Sequence, residues 1–210
     1  MTQSPQSPAT LLQMAGARPR PNALDQSVLV LIDAQNDYLD GSLPLAGIKP
    51  AIAETARLLA AARAAGTPVI HIVHHAGPGA VLFDPEGRGS QIVADLTPLP
   101  AEEVMVKRLP NAFAGTPLRA RLETLAEGGR KGMIVAGFMT HMCVSSTVRA
   151  ALDLGIPATV VARATATRDL PDPAGGVVSA DTVQRAALAA LADRFCTIVQ
   201  DVDALTPATA

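Results

Sequence analysis

The sequence predicts an α/β protein: a three-layer α/β/α domain on a doubly wound, mostly parallel sheet of about six strands. Three observations carry this reading. Short β-branched and Leu runs alternate with Ala-rich helical stretches from Ser27 onward. The runs are apolar throughout rather than alternating, as strands covered on both faces require. Helical stretches stand between most of the runs, the arrangement of right-handed parallel crossovers.

Val28-Leu29-Val30-Leu31-Ile32 is the first strand. Pro50 to Ala65 is helical, with Ile52, Ala56 and Leu59 on one face, and Gly66-Thr67-Pro68 stops it. Val69-Ile70-His71-Ile72-Val73 is the second strand. A long Gly-bearing loop runs from His74 to about Pro100, and Glu103-Val104-Met105-Val106 follows as a third, short strand. Thr116 caps the next helix with Pro117 at its first position, and Gly128-Gly129 ends it. Met133 to Ala136 is the fourth strand, and a helix from near Cys143 ends at Gly155. Ala158-Thr159-Val160-Val161, a helix from Asp181 to Ala192, and Thr197-Ile198-Val199 complete the pattern. The common Rossmann-like order 3-2-1-4-5 is the expected arrangement.

Residues 1–22 are rich in Pro, Ser, Gln and Thr and read as a mostly flexible arm. Within it, Leu11-Leu12-Gln13-Met14 suits a short helical turn docked on the domain. Residues 23–210 read as one domain, a usual length for a single core.

Composition narrows the function. The formal charge is -2, and no basic cluster builds a field for nucleic acid or an anionic membrane. Aromatics make up 2% of the chain, too few for base-stacking platforms. No apolar stretch approaches the roughly 20 residues that span a bilayer. The start of the chain lacks a secretory pattern, and two cysteines make no disulfide framework. The expectation is a cytoplasmic protein acting on a small molecule.

In open parallel sheets ligands bind beyond the carboxyl ends of the strands, where strand order reverses. Asp33 ends the first strand, Lys107 ends the third, and Cys143 follows the fourth. In the expected order Asp33 and Cys143 face each other across the reversal. Lys107 reaches over from two strands away, at about 4.8 Å per strand. Cys143 at the start of a helix meets unpaired N–H groups and the positive end of the dipole, which favour its thiolate. Singly, Asp33 reads equally as a turn cap, Lys107 as a solvated charge and Cys143 as a small core residue. Together they make a base, a cation and a nucleophile.

Three segments carry a family resemblance. They are Leu31-Ile32-Asp33-Ala34-Gln35-Asn36-Asp37-Tyr38, Val106 to Thr116, and Gly137 to Thr147. In them the chain resembles the isochorismatase-like cysteine hydrolases, which include nicotinamidases, N-carbamoylsarcosine amidohydrolase and biuret hydrolase. The resemblance covers about Ser27 to Val199. It implies an Asp33-Lys107-Cys143 triad, a cis peptide at Phe138–Met139, and C–N hydrolysis of a small amide, ureido or carbamoyl compound through a thioester. It implies a homodimer or homotetramer, and backbone N–H groups near Phe138 and Met139 as the oxyanion site. Gln35 is a candidate for positioning Asp33 or a water, and Phe113 and Tyr38 are candidate substrate walls.

The chain departs from the metal-binding members. They carry an Asp-x-His set and a further His, where this chain has Asp40-Gly41-Ser42-Leu43-Pro44. His74 and His75 diverge on an extended chain, so no metal or other cofactor is expected. His74 or His75 could line the pocket mouth, and His141 the pocket or an interface. True isochorismatases cleave a vinyl ether and carry a smaller residue at the nucleophile position, so Cys143 argues for C–N cleavage. The alternatives are that vinyl-ether reaction, or an inactive binding protein on the same fold. Cys196 reads as an inert core thiol.

Overall fold

The computed structural model describes residues 8–205. Six parallel strands form the central sheet: β1 (Ser27–Ile32), β2 (Val69–His74), β3 (Glu103–Lys107), β4 (Gly132–Phe138), β5 (Ala158–Ala166) and, beyond a small hairpin, β8 (Thr197–Val199). The spatial order is β3-β2-β1-β4-β5-β8. The expected order therefore holds, and it reverses between β1 and β4. β1 and β4 are buried along their whole length because helices cover both faces.

Alternate β1 side chains feed two cores. Leu29 and Leu31 pack toward α3 (Ile48–Ala64) with Ile52, Leu58 and Leu59. Val28, Val30 and Ile32 pack toward α4 (Leu118–Glu127), α5 (Ser145–Asp153) and α6 (Ala180–Arg194), meeting Leu118, Leu122, Val148 and Leu191. α3 buries Ala51, Thr55, Leu58 and Ala62 at helical spacing. Leu58 and Leu59 are fully buried, each contributing about 1.5–3 kcal/mol.

Gly137 lets β4 lie against β1 at the reversal. Its φ is +120°, and a Cβ there would sit 2.0 Å from the Ile32 carbonyl oxygen. The closeness of Asp33 to the Cys143 turn depends on that missing atom.

Several elements were not expected. A one-turn helix, α2 (Asn36–Leu39), follows β1. The loop after β5 carries the hairpin β6 (Leu170–Pro171) and β7 (Val177–Val178). His74 still belongs to β2, and β5 runs on to Ala166 past a register shift opposite Val135 and Gly137. α4 starts at Leu118, where the Thr116 hydroxyl accepts the Leu118 N–H at 3.2 Å.

The Leu11–Met14 turn forms as α1, with a Thr10–Gln13 capping box. The Leu11 N–H donates to Asp193 of α6 at 2.8 Å. The Asn22 N–H donates to Thr159 Oγ1 at 2.8 Å, and its amide to the Pro157 carbonyl at 3.0 Å. This end of the arm is thus laid against the domain; residues 1–7 of it lie outside the described residues.

Candidate active site

Asp33 leaves the end of β1 with φ of +50°, a conformation Asp tolerates better than most residues. Lys107 is the last residue of β3 and lies under the chain end of β2. Cys143 sits in a wide turn, Thr140–Val144, that leads into α5. The Met139 carbonyl closes that turn by accepting the Met142 and Val144 N–H groups. The Phe138–Met139 peptide is cis.

The three side chains meet. Lys107 Nζ lies 2.7 Å from Asp33 Oδ2 and 3.3 Å from Cys143 Sγ. Asp33, Lys107 and Cys143 are 0%, 1% and 5% exposed. A third acceptor, His74 Nδ1, lies 3.2 Å from the same ammonium.

Burial sets the electrostatics. It pushes the Asp33 carboxyl above its ordinary value, and the Lys107 ammonium only partly offsets that. The Cys143 thiol is pushed up to about 12, by burial first and by the Asp33 charge second, with Lys107 pulling the other way. This corrects the sequence expectation of a thiolate. α5 begins two residues beyond Cys143, and the desolvation of a buried sulfur outweighs both the dipole and one cation. In this arrangement a Cys143 thiol faces the Asp33 carboxyl.

The other candidates divide. Tyr38 and Phe138 are buried in the α3-side core, their rings 6.2 Å apart and edge-on. Burial first, then the charges of Asp33 and Cys143, raise the Tyr38 phenol, so that ring borders those two side chains. Met139 is buried behind the cysteine turn. Gln35 has no group free for substrate. Its Nε2 donates to the His74 and Ser90 carbonyls at 2.9 and 2.7 Å, and its Oε1 accepts the His74 N–H at 2.8 Å. Its side chain is a brace between the ends of β1 and β2, and its backbone N–H donates to the Asp33 carbonyl at 2.8 Å. Phe113 lines a groove of about 300 Å³ beside α5, with Ala150 and Leu154, and not the ring cluster beside Lys107. His141 donates to or accepts from Thr167 Oγ1 at 2.6 Å. His75 continues the β2–β3 pairing through its backbone N–H to Lys107.

Two residues were missed. Asp37 is buried and accepts the Phe83 N–H at 2.6 Å. Phe83, at φ of +56°, stacks edge-on against both Tyr38 (5.1 Å) and His74 (5.2 Å). A Cβ on Gly89 would lie 2.3 Å from Asp37 Oδ1, so the loop can close on that carboxylate only with glycine there. Asn36 adds a bond to the Arg88 carbonyl at 3.1 Å. The polar residues after Asp33 thus hold down the 76–93 loop as a roof. The signal was present: three consecutive short polar residues exceed what one turn needs.

A cavity of about 640 Å³ lies between the starts of α3 and α6 and the end of β5, lined by Glu54, Thr165 and Gln184 among others. None of Asp33, Lys107 and Cys143 lines it. Among the described residues, no three His, Cys, Asp or Glu side chains are grouped to hold a metal ion.

A six-stranded parallel sheet between layers of helices, with a buried cysteine turn at its strand reversal, defines a three-layer α/β/α protein, and the comparisons specify it. The Isochorismatase domain family matches residues 27–202, and the chain belongs to that family. It is 37% identical over 190 residues to the secreted isochorismatase effector Isc1 of Verticillium dahliae, covering 90% of this chain and 96% of that one. It is 35% identical over 170 residues to the ureidoacrylate amidohydrolase RutB of Methylobacterium radiotolerans, covering 63% and 65%. The crystal structure of an isochorismatase from Pseudomonas putida KT2440 superposes with a TM-score of 0.85 at 43% identity, covering 92% and 97%. The protein is an isochorismatase-family hydrolase.

Proposed function

We propose that this protein hydrolyses a C–N bond of a small amide, ureido or carbamoyl compound with Cys143 as nucleophile. The observation that carries this reading is one buried ammonium, Lys107, within 2.7 Å of a carboxylate and 3.3 Å of a thiol. Asp33 takes the Sγ proton as the sulfur attacks the carbonyl carbon, and Lys107 balances the charge that develops. Backbone N–H groups of the cysteine turn, that of Cys143 among them, hold the oxyanion. The C–N bond breaks, the leaving nitrogen takes the proton from Asp33, and a thioester remains. Water then gives its proton to Asp33 and adds to the thioester carbon, and the sulfur leaves to recover its proton.

A raised Asp33 pKa suits this task, because it makes the carboxylate a better proton acceptor than an ordinary one. Tyr38 and Phe83 supply the apolar wall. No cofactor enters any step. The expected working form is a homo-oligomer in the cytoplasm, although one relative is described as secreted.

The relatives' names point both ways, to isochorismatase and to amidohydrolase. Cys143 supports the second, since vinyl-ether cleavage needs no sulfur nucleophile. The test is ammonia release from a panel of small amides and ureido compounds, with Cys143→Ala as control. Turnover of at least one, lost in the variant, is expected. Inert amides together with consumption of isochorismate would overturn the proposal.

A further inference from the structure

The Lys107 ammonium has three N–H bonds and no access to water. Two of its acceptors belong to the triad. The third is His74 Nδ1 at 3.2 Å. An ammonium buried with one N–H unmet would swing toward whatever acceptor it could find.

His74 is itself held from three sides. Gln35 grips its backbone N–H and carbonyl at 2.8 and 2.9 Å. The Phe83 ring packs edge-on against its imidazole. Phe83 is in turn fixed through its N–H to Asp37 at 2.6 Å. Gln35 and Asp37, which lie in the same motif as Asp33, thereby both fix His74, Gln35 through the His74 backbone and Asp37 through Phe83.

We propose that His74 is a positioning residue: its Nδ1 accepts the third N–H of Lys107 and so aims the ammonium between Asp33 and Cys143. The inference rests on the triad reading above. To accept at Nδ1 the ring must be neutral, with its proton on Nε2. The surroundings enforce that state. Burial, then the charges of Lys107, His75 and Arg108, pull the His74 pKa down to about 4. Among the described residues, the ammonium's other partners are Asp33 Oδ2 and Cys143 Sγ. A protonated His74 would present a donor to a cation and let Lys107 go.

The test uses the full chain and needs no substrate. Cys143 alkylation by iodoacetamide is followed at fixed pH values, with the labelled peptide identified by mass. Wild type is compared with His74→Leu, His74→Asn and Lys107→Met. Asn places an amide oxygen where Nδ1 stands. His74→Leu should slow alkylation about tenfold at a given pH, equivalent to about one unit in the thiol pKa. His74→Asn should recover most of that rate, and Lys107→Met should slow it at least as much as His74→Leu. His74→Leu reacting at the wild-type rate would overturn the inference. So would equal slowing in the Leu and Asn variants, which marks a packing role alone. If Lys107→Met reacts like wild type, the triad reading itself fails, and the His74 inference with it.

Discussion

Two carboxylates sit at opposite ends of the β2–β3 pair, Asp33 fully buried and Glu102 half-buried, and they behave in opposite ways. Glu102 precedes β3, and Asp33 lies across from the end of β2. Glu102 is saturated: it takes Arg63 at 2.7 and 2.9 Å, His71 at 3.1 Å, and the Leu99 N–H at 2.9 Å. Its pKa falls to about 2, chiefly through the Arg63 hydrogen bonds. Asp33 faces Lys107 and Cys143, and no backbone N–H donates to it among the described residues. Its pKa rises. A carboxylate with every lone pair filled is a fastener. One with lone pairs open, and fully cut off from water, can take a proton.

The largest expected effect follows at the open carboxylate. Asp33→Asn keeps an acceptor for Lys107 but cannot take a proton, so kcat/KM should fall by roughly 10³–10⁴-fold. Cys143→Ala should fall at least as far. Steady-state kinetics on any amide found to turn over checks both. The same substitution at the other carboxylate, Glu102→Gln, should leave kcat/KM within about threefold of wild type. A Glu102 variant as dead as the Asp33 variant would break the comparison.

Much of this was legible in the chain. Uninterrupted apolar runs gave the strands, because a strand covered on both faces has no use for polar positions. Their order placed Asp33, Lys107 and Cys143 together before any distance was known. The thiol's state was not legible. It depends on how much water reaches Sγ, which sequence position does not encode, so the dipole argument pointed the wrong way. Residue type alone suggested Gln35 as a support for Asp33 or a water and Phe113 as a substrate wall. Their partners, the His74 backbone and the α5 groove, come from chain segments far away in sequence. Phe83 escaped notice because its loop has no periodicity; only the Asp37 bond, 46 residues back, fixes it.

Stability should reverse the ranking. Glu102→Gln loses charge-assisted bonds to Arg63 and His71 and should lower unfolding free energy by about 2 kcal/mol, read by urea titration. The pH dependence sharpens the contrast. The Glu102 pKa is depressed from 4.5 to about 2, so its contribution is present above about 4.5 and lost as pH falls toward 2. The gap between wild type and Glu102→Gln should therefore close with acid over that window. Asp33 has the opposite sign. Its raised pKa makes its contribution fullest below 3.8 and lost as pH rises through the folded value. Wild type should lose ground to Asp33→Asn as pH climbs out of the acid range. Parallel curves for the two variants would mean that the carboxylates are not distinct after all.

The smallest effect belongs to the second cysteine, and it isolates what burial contributes. Cys196 is buried like Cys143, lies on the same side of the sheet, and its thiol is likewise pushed up to about 12 by burial. What it lacks is a carboxylate: the charge that acts on it is Arg149, whose guanidinium sits 4.0 Å over the Phe195 ring. A thiol with no base beside it has nowhere to send its proton. Cys196→Ala should leave kcat/KM within about twofold of wild type and lower stability by about 1 kcal/mol, the loss of one packed sulfur. In the alkylation experiment its peptide should stay unmodified in the native protein. If Cys196 were to label as fast as Cys143, the neighbouring Asp33 and Lys107 would confer no reactivity, and shared burial would be all the two cysteines express.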